Sequence, residues 1–496
     1  MKPLKRATRA GRRSAAEQVL EHLRAADRFP AGDARREAAQ RKAARAVAAE
    51  PSVVDHPVLA GVRSQLRRWA RFAPYLMTDR DESTLAASNR MLVAEQLSIL
   101  GSLDREAATA LDAADDALHD LDAADPARRL AADVVAHQFT ARRAPTTAAV
   151  LGHLASCHLA DDGQRGIEDW RTRFAFVQGT TPATIAALRA ATHEAGTLAT
   201  KWWQVRSEVV GARYCDRRVG LPASPASLAE HASAAAAGAA YASPRLASAA
   251  SAAASRIRPG SDNQVVVEAD GRISATVFHR PTPRGSLMVA HEIGHTLHAL
   301  ESRSPEPPGA LVGETIACWS SLVTGQFHTA HGGQAVRPLV LALGDTLVEE
   351  LFISEAVSVF EDAVYQLAGA GVVTPGALNA AWLAAHRHLL GDAMHVPDHT
   401  GSGWARLPSL ATDPGHAVSY VWATVLALAI LGRHSGDSAG VVANAIAAGG
   451  VDADEFTALL GFDGDEWIAA GLRVLGTELD RLGQLVRSGA TSAGAA

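Results

Sequence analysis

One pentapeptide limits this chain more than any other feature: His291-Glu292-Ile293-Gly294-His295, inside a stretch that reads as a helix from Ser286 to Leu300 with Ser286 as its N-cap. Residues four apart on a helix lie one turn apart on one face, so His291 and His295 can present ring nitrogens to one Zn²⁺. Glu292 sits about 100° round the helix, off the metal but within reach of a water beside it, which suits a general base. Leu287, Met288, Val289, Ile293 and Leu297 flank the motif and bury the helix, and buried paired histidines need partners. The fold must therefore deliver a third ligand.

Two candidates exist for it. An extended HExxHxxGxxH pattern needs Gly at 298 and His at 301, but the chain has His298 and Glu301. Glu314 lies 19 residues after His295, past a loop with Pro305, Pro307 and Pro308, in the helical segment from Val312 to Trp319. A returning helix can point it at the metal, which gives two His, one Glu and an open position, a catalytic arrangement. His298 shares the face of His291 and His295, either lining a substrate groove or bonding behind the metal ligands. Cys318, one turn after Glu314, reads as a small buried residue.

The rest of the chain excludes several classes. Its 496 residues are 48% hydrophobic and 20% charged, with a formal net charge of -6, a globular composition. No Arg/aromatic stripe suggests a nucleic-acid partner. Cys157, Cys215 and Cys318 are scattered, so neither disulfides nor a thiolate zinc knuckle is expected, and a reducing cytoplasm fits. No secretory signal is expected at the amino terminus, and the apolar stretch Ala417 to Leu431 suits a buried helix, not a membrane span.

Residues 1–50 carry 13 basic against 6 acidic side chains and read as a basic helical arm. Residues 51–150 read as an N-terminal helical region, including an Asp-rich stretch from Leu111 to Asp125, and 486–496 as an unstructured tail. Between them, residues 151–485 are expected to form the domain that carries the metal motif and its catalysis. Helical blocks cover Pro182 to Val209 and Ser227 to Arg256. A turn at Arg258 to Ser261 precedes two strands, Val265–Val267 and Ile273–Phe278, joined by a hairpin at Asp270-Gly271.

With these motifs placed, the sequence resembles the oligoendopeptidase F branch of the thimet-oligopeptidase-like zinc peptidases. The likeness extends from His291–His298 to Thr181-Pro182 through Leu221, the Glu268–Phe278 strand pair, Phe360-Glu361, and Trp404-Ala-Arg-Leu-Pro408 through Thr424. It implies a mainly α, bilobed body with a deep channel and a small sheet beside the zinc helix, acting on short peptides. Ile273 to Phe278 would then be an edge pairing with substrate backbone, with Ala275 and Thr276 in contact with it. Where the family usually places a histidine and tyrosines that donate to a developing oxyanion, this chain has Ser409 at the histidine place and His416 and Val418 at tyrosine places, while Tyr420 remains; Tyr420 and His416 are the candidate donors. The loop between His295 and Glu314 is also short for the family. Those departures leave open a rival, a tailoring enzyme that applies the scaffold to a small amide or amino-acid-like metabolite.

Overall fold

A computed structural model describes residues 15–26, 28, 34–50, 53, 59, 66–67 and 125–493, apart from 212, 222, 262, 268–271, 303–308, 332–335, 408, 435–436 and 449–451. The Asp270-Gly271 hairpin, the prolines before Gly309 and nearly all of the Asp-rich stretch lie outside the described residues. Contacts divide the chain into two compact units: residues 1–92 with 161–169, and residues 93–160 with 170–496.

In the first unit, the arm expected to be helical contains Ala15–Ala26 and Ala34–Ala49, which bury Val19, Ala43 and Val47 in a small core with Leu59 and Leu66. The second unit is mainly helical with one small sheet, as the sequence implies. The block from Pro182 is two helices, Pro182–Glu194 and Thr197–Ser207, the first capped by the Thr181 hydroxyl. The alanine-rich block is also two, Leu228–Ala242 and Ala247–Ala254, with a reciprocal Ser227/Glu230 capping box. The last helix runs Glu466–Ala493, so the tail expected to be unstructured is helical as far as Ala493.

The sheet corrects one expectation. Its strands are β1 (Ile257–Pro259), β2 (Gln264–Val267) and β3 (Ile273–Val277), in the order β1-β3-β2. The stretch read as a turn from Arg258 therefore begins in a strand. β1 runs parallel to β3 and β2 antiparallel, so Ala275 faces Ile257 and Val265, and Thr276 faces Arg258 and Gln264. With partners on both sides, Ala275 and Thr276 lie on the central strand, not on an edge. Ala275 and Val277 turn into the core beneath the motif helix.

That motif helix spans Pro283–Glu301, three residues earlier than the sequence reading puts it. Thr282, not Ser286, is the N-cap, its hydroxyl accepting from the Gly285 amide, and Pro283 supplies the fixed φ of a first turn. A second helix, Ala310–His331, packs along it, and a third, His416–Arg433, packs along the second. We call these the return helix and the aromatic helix. Gly294 sets the spacing of the first pair: a Cβ there would stand 2.6 Å from the Ala317 Cα. The aromatic helix is long and apolar enough to cross a membrane by length and composition, but 78% of that window is buried within the fold.

Candidate metal centre

The motif, return and aromatic helices meet where their polar residues face one another. His291, His295 and Glu314 each bring a ligand atom within 4.8 Å of the others. Glu314 Oε2 lies 3.2 Å from His291 Nε2, and Oε1 lies 3.7 Å from His295 Nε2. The two imidazoles stand edge to face, their centroids 4.9 Å apart. The sequence-derived third ligand is thus brought to the other two, because Gly294 lets the return helix approach one turn from its own start.

Charge in the cluster supports a cation there. Burial alone would raise Glu314, but the facing imidazoles of His291, His295 and His416 outweigh it and hold the carboxyl down to about 2. Burial likewise works against protonated His291, yet Glu314 and its fellow carboxylates carry it up to about 9; His295 is pushed down to about 4 by burial. One proton on His291 therefore neutralises Glu314, the place a metal takes when it displaces that proton. Glu314 Oε2, although close to His291 Nε2, is a buried acceptor without a well-formed hydrogen bond among the described residues. An orphaned carboxylate oxygen beside two imidazoles is the donor set a catalytic zinc uses, and the residues fit such an ion.

Glu292 is buried on the same helix, and desolvation pushes its pKa up to about 7. A carboxylate poised there can take and return a proton near neutrality. Tyr420 and His416, one turn apart on the aromatic helix, also reach the cluster. The Tyr420 ring centroid is 6.5 Å from that of His291 and 5.1 Å from that of His416, which it meets edge to face. His416 lies 3.2 Å from Asp413, which holds its pKa above the ordinary value. Burial raises Tyr420 far enough that its hydroxyl keeps its proton and can donate it.

The start of that helix is fixed from below. Gly415 adopts φ 87°, and its amide donates to Glu361 Oε1 at 2.9 Å. A Cβ on Gly415 would meet the Phe174 ring at 2.5 Å. Val418, at a usual tyrosine position, points into the core, and Ser409 opens the single turn Ser409–Thr412.

His298 is only 3% exposed, and burial pushes its pKa down to about 4. It packs inside the fold, on the face of the motif helix that it shares with His291 and His295.

Sequence reasoning missed Glu350 and Thr424, which stand beside Cys318 close to His291. Thr424 had a faint signal, its place four residues after Tyr420. Glu350 had none, because it sits on a π-helical turn, Glu349–Ile353, between the helices Arg337–Val348 and Ser354–Gly369.

The architecture is that of the oligoendopeptidases. A candidate peptidase from Chlamydophila abortus superposes with a TM-score of 0.72 at 15% identity, covering 94% of this chain and 88% of that one. PZ peptidase A, solved with an inhibitor, gives 0.70 at 12% identity over 96% and 98% of the two chains. Oligoendopeptidase-F from Enterococcus faecium gives 0.66 at 14% identity over 95% and 91%. No family model matches the sequence, and no curated protein matches it either.

Proposed function

We propose that the protein is a zinc-dependent peptidase that hydrolyses peptide bonds in short oligopeptides. The observation that carries this reading is the convergence of His291, His295 and Glu314 from two helices, with Glu292 buried alongside. His291, His295 and Glu314 would hold the zinc ion, which would supply Lewis acidity, lowering the pKa of water to about 7 and polarising a carbonyl. Glu292 accepts the proton of the attacking water and passes it to the leaving amine. Tyr420 donates its hydroxyl proton to the oxyanion that develops on the carbonyl, and His416 supports the same charge from one turn earlier.

Peptide backbone needs an unpaired strand edge to bind by β-augmentation. β3 is flanked on both sides, so the edge assigned to substrate moves to β2, which packs with β3 against the motif helix and exposes Val266 and Val267. The three cysteines are all free, in keeping with a cytoplasmic setting.

Glu292→Gln tests the mechanism. Cleavage of a quenched peptide should fall by about 10²–10⁴-fold while zinc content is unchanged. Intact turnover in that variant would sink the proposal. The replacement of usual donors by Ser409 and Val418 favours a second reading, a zinc-assisted reaction on a small amide or amino-acid-like metabolite. A protein that holds stoichiometric zinc yet cleaves nothing in a diverse peptide library would select it.

A further inference from the structure

One helical turn beyond the metal donors lies a second polar set that the chemistry above does not use. Cys318 follows Glu314 by four residues on the return helix, and Thr424 follows Tyr420 by four on the aromatic helix, so each shares a face with its predecessor. Glu350 stands between them. Its Oε2 accepts from the Cys318 thiol at 3.6 Å and from the Thr424 hydroxyl at 3.3 Å, which fixes the carboxylate. His291, Cys318 and Glu350 bring donor atoms within 4.8 Å of one another, and the Tyr420 hydroxyl feels the charge of Glu350 together with that of Glu314 and Glu292. Glu350 therefore borders the reacting centre.

Its other oxygen, Oε1, has no hydrogen-bond partner among the described residues. Glu350 is half-buried, yet that oxygen is not sealed from solvent. Arg284 forms its ion pair with the adjacent Glu349, and its charge also reaches Glu350, but no arginine or lysine among the described residues forms an ion pair with Glu350 itself. A divalent ion at the metal centre would balance Glu314 and Glu292, and with Arg284 paired to Glu349 the Glu350 carboxylate has no ion-paired cation of its own among the described residues. We infer that Glu350 is a specificity-determining residue that receives the basic side chain, Lys or Arg, of a peptide substrate next to the scissile bond.

A second metal ion is the competing occupant, and the geometry disfavours it. His291 is already committed to the first centre, and burial holds the proton on the Cys318 thiol, so the set has fewer than the three or four ligands a zinc site needs. A single fixed oxygen suits an ammonium or guanidinium donor.

The inference rests on the peptidase reading, and the test separates the two. Zinc-loaded full-length protein is given paired quenched peptides that differ only by Lys or norleucine beside the scissile bond, each with a free or an acetylated amino terminus. The wild type should favour Lys by roughly tenfold in kcat/KM, the scale of one partly buried charge pair. In Glu350→Gln the Lys/norleucine ratio should fall to near one, and Glu350→Asp should keep part of it, with one zinc per chain throughout. An equal ratio in wild type and Glu350→Gln overturns the inference. So does a preference that vanishes on acetylation, which assigns the cation to the peptide terminus. So does a second zinc that Glu350→Gln loses. A zinc-loaded wild type that cleaves neither peptide sinks the peptidase reading instead; equilibrium binding of the same pairs to wild type and Glu350→Gln then decides the Glu350 assignment, equal affinities overturning it.

Discussion

Donor residues gather at two levels one turn apart along the return helix, and the levels behave in opposite ways. At the first, His291, His295 and Glu314 leave a buried carboxylate oxygen without a well-formed hydrogen bond among the described residues. At the second, one turn on, Cys318 and Thr424 both donate to Glu350 and satisfy its inner oxygen. Both levels contain a carboxylate and share the neighbourhood of His291. What separates them is protons: a buried thiol and a hydroxyl keep theirs, whereas the proton shared between His291 and Glu314 is one that a metal ion would displace. Proximity of ligand-type side chains is thus a weaker sign of a metal site than an acceptor the protein leaves unpaired.

Removing the unpaired acceptor should have the largest effect. Glu314→Ala takes away the only carboxylate ligand and leaves two imidazoles, so stoichiometric zinc and activity should both be lost, as read by metal analysis and peptide turnover. Full zinc retention would mean that the two levels are not distinguished as argued. Next comes the contact that brings the levels into register. In Gly294→Ala the new Cβ meets the Ala317 backbone, which cannot yield as a side-chain tip can. Separating the helices should cost about 1–3 kcal/mol and weaken zinc binding, both measurable by urea unfolding and chelator competition. Unchanged zinc affinity in a destabilised variant would show that Glu314 does not depend on this packing.

How much of this was legible in the chain follows from how local each feature is. His291, Glu292 and His295 could be read because i,i+4 spacing fixes their relation within one helix. Glu314 could be reached by asking where a missing ligand returns, and Tyr420 and His416 by resemblance. The centrality of β3 could not, because its parallel partner β1 is three residues long, includes Pro259 and looks like a turn. Thr282 displaced Ser286 as the helix start because Pro283 is preorganised for a first turn, a local cue that was present but outweighed by the later serine. Glu350 was illegible for a stronger reason: a π turn rotates it toward residues from two other helices, and no short-range pattern encodes that meeting.

A pH-dependent effect tests the support common to both levels. Glu361 holds Gly415, hence the helix that bears Tyr420 at the first level and Thr424 at the second. Desolvation, only partly offset by the Gly415 amide, raises the Glu361 carboxyl from 4.5 to about 8. Since the folded state holds this proton more tightly than the unfolded chain, the contribution is full below about pH 4.5 and is lost as pH rises through about 8. Urea midpoints should therefore decline across that window in the wild type and less so in Glu361→Gln. Equal slopes would remove Glu361 as the titrating group.

The smallest effect should come from Thr424→Val, which is also the sharpest on the comparison. The substitution is nearly isosteric and removes one of two donors to Glu350 Oε2, leaving the Cys318 thiol in place. Loss of one such bond should cost about 1 kcal/mol of stability. If the second level is a closed hydrogen-bonded set, chelator competition should give the zinc affinity of the wild type, because no ligand of the first level has lost a partner. A drop in zinc affinity comparable to that of Gly294→Ala would instead join the two levels into one network reaching the metal through His291, and the distinction drawn between an acceptor left open and an acceptor supplied with protons would fail.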